Sequence, residues 1–264
     1  MKLFHRAFEL AHFANPGGGS CLEFGVFKGN SYCHQAREIR RRFPNSSLVG
    51  FDSWQGLPEE TEGVWAPARH DPGELCAPKN LVLGKLSRLG ITPDEKRFRL
   101  VDGFFSDSLT PGLRETIDPP IFLNIDVDIH RSTIELLEWV RPILQPGCIL
   151  YWDDWKDPND EAEGDWGEHL AWEQWYDAED GVTVEMIEAN PIGQRTMIVT
   201  EVDGRRLAPP QPQMRDIRFE ALRLAEKGPG VRAYAVGVVR DRISRFPRLR
   251  GAAARVADKI FVTR

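Results

Sequence analysis

Four aspartates follow two short apolar segments of the sequence, Asp126 and Asp128 after one and Asp153 and Asp154 after the other. Asp126 and Asp128 are two residues apart near the end of a predicted strand, so their side chains share a face. Carboxylates that converge in a cleft repel one another unless a cation lies among them. Because every ligand would be an oxygen and no Cys and His set is nearby, the pattern favours Mg²⁺, with Mn²⁺ and Ca²⁺ as alternatives, over zinc. The competing interpretation is that these aspartates only cap helices and loops.

A second candidate site is a turn between a predicted strand and a predicted helix, at residues 23–29, which read EFGVFKG. Gly25 and Gly29 would let the backbone approach a ligand closely, and the helix after the turn offers unpaired N–H groups to a carboxylate or phosphate. A dinucleotide fingerprint would require glycine at the positions of Phe27 and Asn30, so NAD is disfavoured.

Another acid, Asp52, ends the next predicted strand. A carboxylate there can accept hydrogen bonds from both hydroxyls of a ribose. Together with the turn, it favours a cofactor that carries a nucleoside. Each feature also has a purely structural interpretation: Glu23 could cap a helix or form an ion pair, the glycines could make a tight turn, and Asp52 could be a helix N-cap.

These residues need a scaffold that brings strand ends together. Strand-like apolar segments alternate with helical patterns, which favours a Rossmann-like α/β fold with a mainly parallel, seven-stranded sheet and helices on both faces. In such a sheet, ligands bind in the crevice beyond the carboxyl ends of the strands. The predicted strands are residues 20–24, 48–51, 98–101, 121–125, 148–152, 182–187 and 196–200. The aspartates that would meet at that edge are Asp52, Asp102, Asp126, Asp128, Asp153 and Asp154.

Composition bounds the class of protein. The chain has 264 residues, of which 41% are hydrophobic and 28% charged, which is typical of a soluble globular protein. No stretch approaches the roughly 20 apolar residues of a membrane span, and polar groups interrupt any signal-peptide core near the start, so a cytoplasmic location is predicted. The four cysteines show no metal-like spacing and are predicted to be reduced, buried thiols.

The charge of the chain is unevenly distributed. The net charge is −6, yet residues 205–264 carry 15 Lys and Arg against 5 Asp and Glu. We therefore predict an acidic domain over residues 1–204 and a basic helical extension over residues 205–264. An apolar helical stripe in the extension favours contact in a homo-oligomer, with membrane-surface binding as the next interpretation. The extension lacks regularly interleaved aromatic residues, which disfavours nucleic acid as a partner.

Four ordered motifs within about residues 20–200 resemble the macrocin O-methyltransferase family. They are EFGVFKGNS at residues 23–31, FDSWQGLP at 51–58, NIDVDIHRST at 124–133 and YWDDW at 151–155. The resemblance implies a class I methyltransferase fold and a metal-assisted transfer of methyl from S-adenosylmethionine to a sugar hydroxyl in antibiotic biosynthesis.

The resemblance also implies roles for individual residues. The methionine end of the cofactor would lie among Glu23, Gly25, Gly29 and Ser31. The ribose would contact Asp52 and Ser53, and the adenine would lie beside Gly103 and Phe104. The family further implies a magnesium ion held by Asp126, Asp153 and Asp154, with Asp128 as the base that accepts the hydroxyl proton.

The acceptor is less well defined by the sequence. His130 and Trp155 stand where the family often has tyrosine, and either is a candidate for contact with the acceptor, Trp155 being the better one. His130 could also ligate the cation or carry a proton, although a solvent-facing or packing histidine is favoured. The predicted function is a Mg²⁺-assisted O-methyltransferase that acts on a sugar or glycosylated natural product. The alternatives are a phenol or catechol O-methyltransferase and a non-catalytic subunit that binds the cofactor as a scaffold.

Overall fold

The computed structural model describes residues 2–59, 71–94, 96–155 and 166–207. The predicted basic extension lies outside the described residues from position 208 onward, and its apolar stripe with it. Among the described residues, no helix combines the length and the apolar character that a membrane span requires.

One mixed sheet forms the centre of the molecule, with the strands in the order β3-β2-β1-β4-β5-β7-β6. The five strands from β3 to β5 are parallel, whereas β7 runs antiparallel to both β5 and β6. All seven predicted strands are present, and a two-residue strand, β8, pairs with β7. The strands are β1 (Gly19–Phe24), β2 (Ser46–Asp52), β3 (Phe98–Asp102), β4 (Pro120–Ile125), β5 (Ile149–Trp152), β6 (Val182–Ala189), β7 (Arg195–Val202) and β8 (Arg205–Arg206).

Helices connect the strands and cover the sheet. Helix α1 places Leu3, Phe4, Ala7, Leu10 and Ala11 on one buried face, which packs on β4 and β5. The helices are α1 (Lys2–Ala14), α2 (Asn30–Arg42), α3 (Lys79–Arg88), α4 (Phe105–Ser108), α5 (Pro111–Arg114), α6 (His130–Val140) and α7 (Gly167–Ala178), with a 3₁₀ turn at Arg141–Ile143.

The sheet separates two hydrophobic clusters. One joins α1, α2 and α3 to residues such as Cys21 and Phe122, and the other joins α6 and α7 to residues such as Leu22 and Leu123. Adjacent residues of one strand thus enter opposite clusters, as the two-residue period of a strand requires. Burial on both faces explains why these strands read as continuous apolar segments in the sequence.

The cysteines follow the prediction except at one position. Cys21, Cys33 and Cys148 are buried free thiols. Cys76 is exposed, so the prediction that all four are buried is wrong for this residue. Its Sγ lies 3.2 Å from the carbonyl oxygen of Trp54 at the surface, outside both hydrophobic clusters.

Candidate active site

A cleft opens at the carboxyl edge of the parallel strands, where the sequence predicts a ligand site. Strand β1 lies between β2 and β4. The strands that follow β1 in the chain are added first on one side of it and then on the other, and the crevice at such a reversal of strand order is the usual place for a ligand. The cleft wall contains most of the predicted site residues: Gly25, Asp52, Ser53, Gly103, Phe104, Asp126 and Asp128. Glu23, Gly29, Ser31, Asp153 and Asp154 are not among the residues that line it.

The turn from β1 to α2 is held in place by Asp52. One carboxylate oxygen of Asp52 accepts the N–H groups of Val26 and Phe27 at 2.9 and 2.7 Å, and the other accepts the N–H of Trp54 at 2.7 Å. Phe27 has φ 47°, a conformation that non-glycine residues rarely adopt without such support. Asp52 therefore shapes the cleft wall, a contribution that the sequence analysis did not anticipate.

Glu23 lies beneath this turn, fully buried in β1. Its carboxylate accepts a hydrogen bond from Ser31 Oγ at 2.7 Å and another from Gln35 Nε2, both on α2. Burial raises the pKa of Glu23 to about 8, against the lowering effect of these hydrogen bonds. Gln35 was missed by the sequence analysis, although its position four residues after Ser31 places it on the same face of the helix.

The raised pKa of Glu23 predicts a dependence of stability on pH. Because the folded state binds this proton more tightly than the unfolded chain, the stabilisation is complete below the ordinary pKa of 4.5 and is lost as the pH rises to about 8. We expect Glu23→Gln, which stays neutral, to reduce the fall in the urea midpoint between about pH 5 and pH 9. Glu185→Gln, at an exposed position of β6, is the control and should leave the slope unchanged. An unaltered slope in Glu23→Gln would contradict the assignment.

Three carboxylates converge beside the cleft, from Asp126, Asp128 and Asp154. One oxygen of each lies within 4.8 Å of the others. Loss of solvation raises the pKa of Asp126 well above its ordinary value, and the charges of Asp154, Asp153 and Asp128 raise it further. The arrangement therefore concentrates negative charge at the edge of the sheet between β4 and β5.

Asp128 has a strained backbone. Its φ is 63°, and the N–H of Ile129 donates to the carbonyl of Val127 at 2.7 Å, which closes a three-residue turn around it. A non-glycine residue in this region costs of order 1–3 kcal/mol and persists only where the surrounding structure holds it. The strain places the Asp128 carboxylate in the cleft wall, next to the carboxylates of Asp126 and Asp154.

Asp153 points to different partners from those of its neighbour Asp154. Its Oδ1 accepts hydrogen bonds from the hydroxyl of Tyr151 at 2.6 Å and from Nε2 of Gln194 at 2.7 Å. Burial, followed by the charge of Asp153, raises the pKa of Tyr151, so the phenol stays a donor at neutral pH. The family resemblance implied Asp126, Asp153 and Asp154 as one set. The structure brings one oxygen each of Asp126, Asp128 and Asp154 within 4.8 Å of one another, and the charge of Asp153 also acts on Asp126.

The two candidate acceptor contacts have packing roles in the structure. His130 is buried at the start of α6, and its Nε2 lies 2.7 Å from Oε1 of Gln174 on α7. Trp155 is also buried, with its ring edge-on to that of Trp152 and tilted against His169. These contacts join α7 to the start of α6 and to the turn after β5.

Comparison with known proteins identifies the type of domain. A family model described as a methyltransferase domain matches residues 22–155, which is just over half of the chain. A curated protein of Streptomyces olivaceus, an 8-demethyl-8-(2,3-dimethoxy-alpha-L-rhamnosyl)-tetracenomycin-C 4'-O-methyltransferase, is 30% identical over 145 residues, which are 52% of this chain and 53% of that protein. The chain therefore spans about half the length of this curated relative.

Solved structures show the same fold. The O-methyltransferase NovP superposes with a TM-score of 0.59 at 20% identity, over 75% of this chain and 79% of NovP. CalS11, described as a calicheamicin methyltransferase, superposes with a TM-score of 0.55 at 22% identity, over 75% of this chain and 77% of CalS11. With the family match over both the cofactor-type turn and the paired aspartates, these findings show that the chain belongs to the methyltransferase domain family.

Proposed function

We propose that the protein is an S-adenosylmethionine-dependent O-methyltransferase that methylates a hydroxyl of a sugar or glycosylated natural product with the help of Mg²⁺. The observation that carries the proposal is the shared cleft: the turn that would hold the cofactor and the acidic residues Asp126 and Asp128 line the same cleft. The curated relative, whose name describes a rhamnosyl O-methyltransferase, supports a glycoside as the acceptor class. A cytoplasmic location and a homo-oligomer formed through residues 205–264 stay predictions.

The cleft has the features that the cofactor needs. Gly25, with φ 84°, lets the backbone turn sharply beside the cleft, and Gly103 and Phe104 form the wall at the end of β3. We propose that the cofactor's adenosine lies between these two walls, with Asp52 and Ser53 nearest the ribose. Glu23 and Ser31 would act from beneath by holding the start of α2 against β1.

The carboxylates beside the cleft suit a hard divalent cation. One oxygen each of Asp126, Asp128 and Asp154 lies within 4.8 Å of the others, and burial, followed by the crowding of like charges, raises the pKa of Asp126. Magnesium is commonly bound by one or two carboxylates together with water and substrate oxygens. We propose Asp126 and Asp154 as the residues that would hold the ion. Asp153, which is engaged by Tyr151 and Gln194, would support them from the side.

The methyl group of a sulfonium is already activated, so the remaining requirement of the reaction is to make the acceptor hydroxyl a better nucleophile. A bound Mg²⁺ would supply Lewis acidity that lowers the pKa of the acceptor hydroxyl. We propose that the Asp128 carboxylate accepts the hydroxyl proton while the oxygen attacks the methyl carbon in line with the breaking carbon–sulfur bond, which releases S-adenosylhomocysteine. Holding the two reactants in this alignment can contribute roughly 7–11 kcal/mol.

The proposal predicts chelator-sensitive methylation of a glycoside. The test is a mass-spectrometric assay with S-adenosylmethionine and two matched acceptors, a rhamnosylated aromatic polyketide and its aglycone, with Mg²⁺ or with EDTA. We expect methylation of the glycoside that EDTA abolishes and added Mg²⁺ restores. Faster methylation of the aglycone would identify a phenol O-methyltransferase, and tight binding of S-adenosylhomocysteine without turnover of either acceptor would identify a scaffold subunit.

A further inference from the structure

A buried glutamate, Glu168, connects the two turns that carry the acidic side chains. It lies in the first turn of α7 and is fully buried. Its Oε1 accepts the N–H of Val127 at 3.0 Å, and its Oε2 accepts the N–H of Asp154 at 3.3 Å. One carboxylate therefore bridges the turn after β4 and the turn after β5.

The bridge begins where the sheet stops holding these turns together. Strands β4 and β5 pair as far as Ile125 and Trp152, and in the described part of the chain their last backbone hydrogen bond runs from the N–H of Asp153 to the carbonyl of Ile125 at 3.0 Å. Asp126, Asp128 and Asp154 all lie beyond that point. Asp126 still donates its N–H to the carbonyl of Phe24 in β1 at 3.1 Å. The position of Asp154 relative to Asp126 and Asp128 is not fixed by a further β4–β5 ladder bond among the described residues, and it depends on contacts such as those of Glu168.

Helix α7 reaches the turn through Gly167, the residue before Glu168. Gly167 has φ 53°, and a Cβ at this position would lie 2.7 Å from the carbonyl oxygen of Asp128. Only glycine fits both the backbone conformation and this close approach. The start of α7 is thus packed directly on the strained turn at Asp128, which brings the Glu168 carboxylate within reach of both backbone N–H groups.

The bridge uses both oxygens of one buried carboxylate. One oxygen accepts the N–H of Val127 and the other accepts the N–H of Asp154. A neutral amide in this place would offer one acceptor oxygen and would present a donor to the second N–H. The two bonds together therefore require a carboxylate at this position.

We infer that Glu168 is a positioning residue that sets the separation of Asp154 from Asp126 and thereby the affinity of the site for a divalent cation. The inference rests on the proposed function, because that function places a cation among these carboxylates. Glu168 acts through the backbone N–H groups of Val127 and Asp154 and does not itself contact the cation.

The experiment is a titration of the purified full chain with Mn²⁺, in which free Mn²⁺ is measured by electron paramagnetic resonance. Glu168→Gln retains one acceptor oxygen and turns an amide donor toward the second N–H, so it can form only one of the two bonds. We expect Mn²⁺ affinity to fall about 10- to 100-fold, as is usual when a residue that orients metal ligands is lost. S-adenosylhomocysteine affinity, measured by calorimetry, should change little and reports that the variant is folded.

The matched control is Glu173→Gln, on the same helix with a side chain that is 55% exposed, and it should bind Mn²⁺ like the wild type. If Glu168→Gln does not fold, Gly167→Ala is the second variant. It keeps the glutamate in the chain, but its Cβ would clash with the carbonyl oxygen of Asp128 and displace the start of α7. It too should therefore weaken Mn²⁺ binding. Wild-type Mn²⁺ affinity in a folded Glu168→Gln or Gly167→Ala variant overturns the inference about Glu168 but leaves the proposed function intact. Absence of Mn²⁺ binding by the wild type overturns the metal assignment of the proposed function and this inference together.

Discussion

Replacement of Asp128 by asparagine is expected to slow methyl transfer by about 10²- to 10⁴-fold, which is the usual contribution of a general base. Asparagine cannot accept the hydroxyl proton, whereas the other groups that we place around the reactants are unchanged. The affinities for S-adenosylhomocysteine and for Mn²⁺ should stay close to those of the wild type, because Asp126 and Asp154 would still hold the cation.

The variant should fold, since asparagine suits the unusual backbone at this position. Asp128 has φ 63°, and asparagine is one of the few residues that adopt the left-handed region readily. Removal of one negative charge also relieves the repulsion that raises the pKa of Asp126. A loss of activity can therefore be attributed to the missing carboxylate and not to a collapsed turn.

A control variant and the two binding affinities make this prediction decisive. Asp107→Asn, at an exposed position of α4 near the same cleft, should retain full activity. If Asp128→Asn loses Mn²⁺ affinity in parallel with turnover, Asp128 is a ligand of the cation and not the base. If it loses S-adenosylhomocysteine affinity to the same degree, the residue belongs to the cofactor pocket.

The sheet and the position of the cleft follow directly from the sequence. Strands buried on both faces give continuous apolar segments. Each of the first five strands ends at or just before a glycine or an aspartate, which therefore lies at the carboxyl edge of the sheet. Parallel strands end at one edge, so acids as distant along the chain as Asp52 and Asp126 could be predicted to meet there. The four ordered motifs between residues 23 and 155 are by themselves sufficient to indicate the type of domain.

The detailed partners of the acids could not be predicted in this way. Asp153 and Asp154 are adjacent and lie beyond the end of β5, where the two-residue period of a strand no longer fixes side-chain direction. Which of them joins Asp126 depends on Tyr151 and Gln194, and Gln194 comes from a distant part of the chain. Glu168 was missed for the same reason: it approaches Val127 from 41 residues away, and only the glycine before it hints at a close contact.

Asp52 shows a different limit of sequence analysis. Its location at the end of β2 was predicted, together with a contact to the cofactor ribose. The structure shows that its carboxylate accepts three backbone N–H groups of neighbouring turns. Two of the three donors, Phe27 and Trp54, have left-handed backbones, with φ 47° and 59°, and no residue-type pattern predicted those conformations.

Replacement of Gly25 by alanine is expected to destabilise the protein by about 4 kcal/mol or more, a large share of the total stability of a typical domain. An alanine Cβ would lie 1.8 Å from the carbonyl oxygen of Asp126, and Gly25 has φ 84°. The N–H of Gly25 also donates to the carbonyl of Phe51 at 3.0 Å, so the backbone cannot move aside without losing its contact with β2. The urea midpoint, followed by circular dichroism, measures the effect.

The matched control is Gly17→Ala, whose Cβ meets no atom within 4 Å, and it should leave the urea midpoint nearly unchanged. Any folded Gly25→Ala protein should bind both S-adenosylhomocysteine and Mn²⁺ poorly, because the same close contact places the turn after β1 against the backbone of Asp126. Loss of only one of the two ligands would mean that the turn and the carboxylates are positioned independently. A wild-type midpoint with both affinities intact would show that the contact between Gly25 and Asp126 does not hold the turn after β1 against the turn after β4.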